Sequence, residues 1–160
     1  MKIAIFTEGT LLMHKNAVGL ERKAIIDQVI SGEPSVKDYA HYVVIGNANE
    51  KVKKWFNQGA EIIYVTSRKE YKEIQDIQNL LNENNFPKGK LEYREQNEEY
   101  KDVGEKIMPD ILIEDDCESI GGEKEMVYPH IKSELKGKIN SVVVKEFEGI
   151  DRLPDNISEF

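Results

Sequence analysis

The sequence predicts a single α/β domain, residues 1–160, built on a doubly wound parallel β-sheet. Three observations carry that prediction. Five short β-type runs recur along the chain, at Lys2 to Phe6, Glu61 to Val65, Leu91 to Tyr93, Ile111 to Ile113 and Ser141 to Lys145. Most are continuously apolar rather than alternating, the pattern of strands buried on both faces. Amphipathic helical stretches lie between them, which is the alternation that crossover helices over a parallel sheet require.

Each element follows from its residues. After the first run the chain departs from strict alternation over residues 12–46. These hold a helix-like stretch (Ala17, Leu20, Ala24, Ile25, Val29), a break at Gly32-Glu33-Pro34, and the aromatic segment Asp38-Tyr39-Ala40-His41-Tyr42. Too small to build a core of its own, this stretch is expected to be a small helical, cap-like insert over the ligand crevice. Val52, Trp55 and Phe56 are spaced i, i+3, i+4 on one predicted helix, which stops at Gly59. Ile74, Ile77, Leu80 and Leu81 mark a second, which stops at Phe86-Pro87. Lys51, Lys53 and Lys54 fall on the expected solvated face of the first.

Composition narrows the function classes. Of 160 residues, 39% are apolar and 32% charged, a globular profile. Twenty-two Lys and Arg face 30 Asp and Glu, for a net charge of −8, which argues against duplex nucleic acid as a partner. A small phosphorylated ligand needs only a lysine and a cation and stays open. The lone Cys117 excludes an internal disulfide framework and a cysteine zinc site. The apolar runs are too short to span a bilayer, and the first residues turn polar at Thr7, unlike a signal peptide. Cytoplasm is the default location, with no membrane partner.

In a doubly wound sheet, ligands bind outside the carboxyl ends of the strands. The first run leads into Thr7-Glu8-Gly9-Thr10-Leu11, the second into Thr66-Ser67-Arg68, and the fourth into Glu114-Asp115-Asp116. Gly9 and Thr10 read equally as a tight turn, and Thr66 with Ser67 as a helix cap or an anion site. Three successive acids at the end of a buried strand are costly without a cation or strong donors, so a cation-binding role stands beside that of an acidic turn.

These pieces, in order, resemble the motifs of haloacid dehalogenase-like (HAD) phosphohydrolases. Glu8-Gly9-Thr10-Leu11 is similar to the latter half of the first-strand motif. Thr66 matches the second motif, and Lys101 in Tyr100-Lys101-Asp102-Val103 the lysine before the fourth strand. Pro109 to Asp116 is similar to the acidic fourth motif. The resemblance implies a Rossmann-type HAD fold that handles a small phosphomonoester, a nucleotide among the candidates. By the same resemblance Glu8 takes the general acid/base position, with Thr7 and Lys101 beside it as catalytic candidates. Gly9, Thr10, Thr66, Ser67 and Lys101 become phosphate contacts, and Glu8, Asp115 and Asp116 hold a weakly bound Mg²⁺.

The nucleophile position departs from the family. Read without a gap it holds Phe6, and shifted by one residue it holds Thr7; the first aspartate in the chain is Asp27. No aspartyl-phosphate can form there in the usual way. Two functions therefore stand side by side: Mg²⁺-dependent phosphomonoester hydrolysis at low or altered activity, and a catalytically silent binding module or sensor. His14, His41 and His130 lack any metal-ligand spacing, and Cys117 is expected to serve packing.

Overall fold

The computed structural model describes residues 1–160. Strand β1 (Lys2–Phe6) is the centre of a five-stranded sheet that also contains β4 (Glu61–Thr66), β5 (Lys90–Tyr93), β6 (Ile111–Asp115) and β7 (Asn140–Val144). Every pairing is parallel, in the order β5-β4-β1-β6-β7. Each of the five expected runs forms a strand, and the runs at Glu61 and Ile111 flank β1 on opposite sides. The two shortest strands, β2 (Leu12–Met13) and β3 (Val43–Val44), pair antiparallel at the two ends of the insert.

Alternating strand residues feed two cores. On one face Ile3, Ile5, Ile62, Tyr64, Ile111 and Ile113 pack against Val52 and Trp55 of α2 (Ala48–Asn57). Ile77, Leu80 and Leu81 of α3 (Tyr71–Glu83) join the same core. On the other face Ala4, Ile63, Val65 and Leu112 meet Val103 and Ile107 of α4 (Tyr100–Ile107), with Val127, Ile131 and Ile139. This two-sided burial is why the strands carry unbroken apolar runs. Phe56, expected on the inner face of α2, is 43% exposed, because Ala48, Val52 and Trp55 are the residues that turn toward the sheet. The tail closes over α2: the Trp55 indole donates to Pro154 O at 2.8 Å, and Lys51 pairs with Asp155. Burial of this indole makes truncation at Trp55 one of the costlier changes, about 3–5 kcal/mol.

Residues 12–46 carry α1 (Arg22–Ser31) and short 3-10 turns, and they are not an independent unit. Tyr39 and Tyr42 join the core of the main sheet, while Leu20 and Ile30 remain exposed. Only Ala17, Ile25, Ile26, Tyr39 and Tyr42 of the expected helical and aromatic segments are buried. The insert thus lies over the carboxyl edge of the sheet, where the ends of β1, β4 and β6 converge. No helix is long and apolar enough to cross a membrane.

Candidate functional site

Beyond the end of β1 the chain turns sharply at Gly9, whose φ of +79° suits glycine. A Cβ there would lie 2.7 Å from Asp115 Oδ2, so the turn also needs the absence of a side chain. The Gly9 N–H donates to Leu12 O and its carbonyl accepts from Phe147 N. Both backbone groups of Gly9 are thus paired within the protein, against its expected place among the phosphate contacts.

The turn aims Glu8 at the end of β4. Thr66 Oγ1 donates to Glu8 Oε1 at 2.7 Å, Ser67 Oγ lies at 3.4 Å, and Arg68 Nε reaches the same oxygen at 3.0 Å. The Thr7 hydroxyl contacts the other carboxylate oxygen. Thr7 itself is fully buried, and its hydroxyl also lies 3.1 Å from Val65 O, so it is shared between the Glu8 carboxylate and the backbone. Arg68 is in turn held by Ser67 Oγ at 2.6 Å from Nη2, and its guanidinium lies over the Tyr39 ring, 4.6 Å from the centroid. Burial pulls the Arg68 pKa down, but the Glu8 carboxylate together with Tyr39, Tyr100 and Glu73 outweighs it and the net shift is upward. Arg68 therefore stays a cation in a half-buried place.

Lys101 does not join this group. Its ammonium pairs with Glu99, the N-cap of α4, at 2.7 Å and faces a separate cleft. This corrects the expectation that it faces the crevice, and Arg68 stands where a cation was expected. The neighbouring Tyr100 does reach the site, its hydroxyl contacting Ser67 O.

A second cluster lies at the ends of β6 and β7. Carboxylate oxygens of Asp115, Asp116 and Glu146 all fall within 4.8 Å of one another. Asp115 accepts from Thr10 Oγ1 at 2.9 Å and Cys117 N at 2.9 Å. Burial pushes its pKa up to about 6 against those two donors. Thr10 is thereby a support for an acid, which corrects its expected role as a phosphate contact. Asp116 has two cations, Arg22 at 3.1 Å and Lys145 at 2.9 Å. Burial raises its pKa, but Lys145 and its other partners prevail and the net shift is downward. Glu146 accepts from Ser119 N and Oγ, and burial raises its pKa. The acid triad is Asp115, Asp116 and Glu146, whereas Glu8 belongs to the arginine cluster, a correction to the expected metal set. Glu114 points to the opposite face and accepts from Val127 N and Tyr128 N.

Between the clusters lies a cavity of about 260 Å³. Glu8, Ser67 and Arg68 line one part of it, Asp115 and Glu146 another, and Phe6, His14, Tyr39 and Phe147 supply apolar walls. His14 is fully buried, 2.8 Å from Gln28 Oε1 and edge-on to Phe147. Cys117 is half-buried, and burial holds its thiol well above the usual range, as suits a packing residue.

The strand order, together with polar residues delivered to one edge by β1, β4 and β6, defines an α/β domain of Rossmann-type architecture. The family model "PITM 1-3, LNS2 domain" matches residues 25–109, more than half of the chain, and the chain belongs to this LNS2 family, itself a HAD-like fold. The matched stretch includes Thr66, Arg68 and Lys101 and ends before the acids of β6. No curated protein matches the sequence. Two solved structures are similar to this one. D,D-heptose 1,7-bisphosphate phosphatase from Burkholderia thailandensis is 7% identical, with a TM-score of 0.46, covering 92% of this chain and 93% of that one. A universal stress protein in complex with cAMP is 8% identical, with a TM-score of 0.39, covering 91% and 97%.

Proposed function

We propose that this HAD-like domain is a binding module for a small phosphorylated ligand, with hydrolysis very low or lost. The observation that carries this reading is the convergence of Thr66, Ser67 and Arg68 on one carboxylate, that of Glu8. Donors arranged to hold a carboxylate also suit phosphate oxygens, and a guanidinium does so with charge-assisted bonds. A phosphomonoester takes the place of Glu8 on these donors, and its organic part lies in the cavity beneath Tyr39.

Two features favour binding over turnover. By the family resemblance Phe6, or Thr7 with a one-residue shift, stands where the nucleophilic aspartate belongs, and Glu8 is already committed to Arg68 and the hydroxyls. Asp115, Asp116 and Glu146 fit a weak Mg²⁺ site, since three hard oxygen donors converge while Arg22 and Lys145 compete for Asp116. A cation there would supply positive charge beside the phosphate.

The reading is tested by incubating the chain with Mg²⁺ and a panel of phosphomonoesters, measuring ligand-induced thermal stabilisation and phosphate release on the same samples. Stabilisation without release supports it. Brisk release, or a trapped phosphoenzyme, would establish an enzyme instead.

A further inference from the structure

Tyr100 separates the cavity below the insert from a second cleft of about 280 Å³, and both it and Glu125 line the two spaces. The second cleft is walled by Arg94, Glu99, Lys101, Lys124, Met126 and His130. In a chain of net charge −8, three permanent cations here face two carboxylates, Glu99 and Glu125. Glu99 is bound to Lys101, whereas Arg94 and Lys124 form no salt bridge. Arg94 instead lies over the Tyr100 ring at 4.4 Å from its centroid. At the start of α4 the Glu99 N–H is taken by Asp102 Oδ2 at 2.8 Å, and both residues place negative charge there. The excess positive charge belongs to side chains.

The geometry points to a second anion subsite in this cleft, formed by Arg94, Lys101 and Lys124, so that the ligand carries two phosphates on one carbon skeleton. This rests on the proposed function, which seats the first phosphate on Arg68. Tyr100 is the divider: its hydroxyl reaches the Ser67 carbonyl on one side and its ring supports Arg94 on the other. Two phosphates on adjacent atoms cannot pass an aromatic ring, and a carbon skeleton can run around its edge. Joining two weak subsites through one ligand raises affinity without any new contact, because the second encounter becomes intramolecular.

The test uses the full chain, ¹⁵N-labelled, titrated with alkanediol bisphosphates of increasing chain length and with the matching alkyl monophosphates. The monophosphates should shift amides around Ser67 and Arg68. One bisphosphate should bind at least roughly tenfold more tightly than its monophosphate and also shift amides around Lys101 and Lys124. The double variant Lys101→Met/Lys124→Met alters one half-buried and one exposed position and should bring that bisphosphate back to the affinity of the monophosphate. If monophosphates bind at Arg68 but no bisphosphate gains affinity, or if the double variant leaves the gain intact, the second subsite is wrong and the first stands. If neither class shifts Ser67 or Arg68, both proposals fall.

Discussion

Arg68 Nε lies 3.0 Å from Glu8 Oε1, joining the end of β4 to the end of β1 along the lining of the cavity. The ion pair is half-buried, with side-chain exposures of 26% and 14%. It gathers the donors of the site around a charge that the protein itself supplies. A phosphate must displace that charge, and the predictions below turn on this competition.

Glu8→Gln keeps a side chain of the same length and removes the competing charge. Inorganic phosphate should then bind roughly tenfold more tightly than to the wild type, about 1.4 kcal/mol. Its effect on the melting temperature should rise in step. Calorimetry on both proteins measures this; equal affinities would mean that Glu8 does not occupy the phosphate position.

Gly9→Ala forces an L-residue into the left-handed region and places a Cβ 2.7 Å from Asp115 Oδ2. Backbone strain alone costs about 1–2 kcal/mol, and displacement of Asp115 adds to it. Urea denaturation should show the midpoint falling with an unchanged slope. A neutral substitution would contradict the turn geometry that aims Glu8 at β4.

Much of this was legible in the sequence. All five strands, the inner face of α3, and Val52 and Trp55 of α2 followed from apolar runs and helical spacing, whereas Phe56 of α2 is exposed and Lys51, expected on the solvated face, is buried against the tail. The gathering of Glu8, Thr66 and Asp115 at one edge followed from strand ends alone. Side-chain direction was not legible. Lys101 was expected in the crevice by its place before β6, yet Glu99, two residues away, holds it in the neighbouring cleft. Thr10 points at Asp115 rather than at the donor cluster. Two site residues outside the expected set have a signal in the sequence. Arg68 follows Thr66 by two positions, and Glu146 lies just past the end of β7, the same kind of place that singled out Asp115. Tyr39 carried no signal, since its position over Arg68 depends on how the insert folds back.

The acid triad should bind Mg²⁺ weakly because Lys145 and Arg22 already neutralise Asp116. Lys145→Gln removes an exposed cation from that competition. Mg²⁺ should raise the melting temperature of this variant more than that of the wild type, and Asp115→Asn should abolish the effect. The same Mg²⁺ response in all three proteins would assign the acids to the loop alone.

The tail clamp sets a pH window. Hydrogen bonds from Lys51 and then Lys54 lower the Asp155 pKa to about 2, below the ordinary value near 3.9. A carboxylate lowered on folding stabilises the folded chain above its unfolded pKa and loses that effect as pH falls through the folded value. The melting temperature of the wild type should therefore exceed that of Asp155→Asn by a constant margin at neutral pH. The margin should shrink below about pH 4 and close near pH 2. A margin that persists there would mean that Asp155 acts through packing and not charge.

Binding of inorganic phosphate to wild type and Arg68→Met, followed by calorimetry with circular dichroism to verify the fold, tests the anion site most directly. Arg68→Met removes the guanidinium and its charge-assisted bonds, which are worth about 1.5–3 kcal/mol each. Phosphate affinity should fall by at least roughly tenfold while the fold is kept. An Arg68→Met protein that folds and binds phosphate as well as the wild type would show that the cluster around Glu8 is not an anion site.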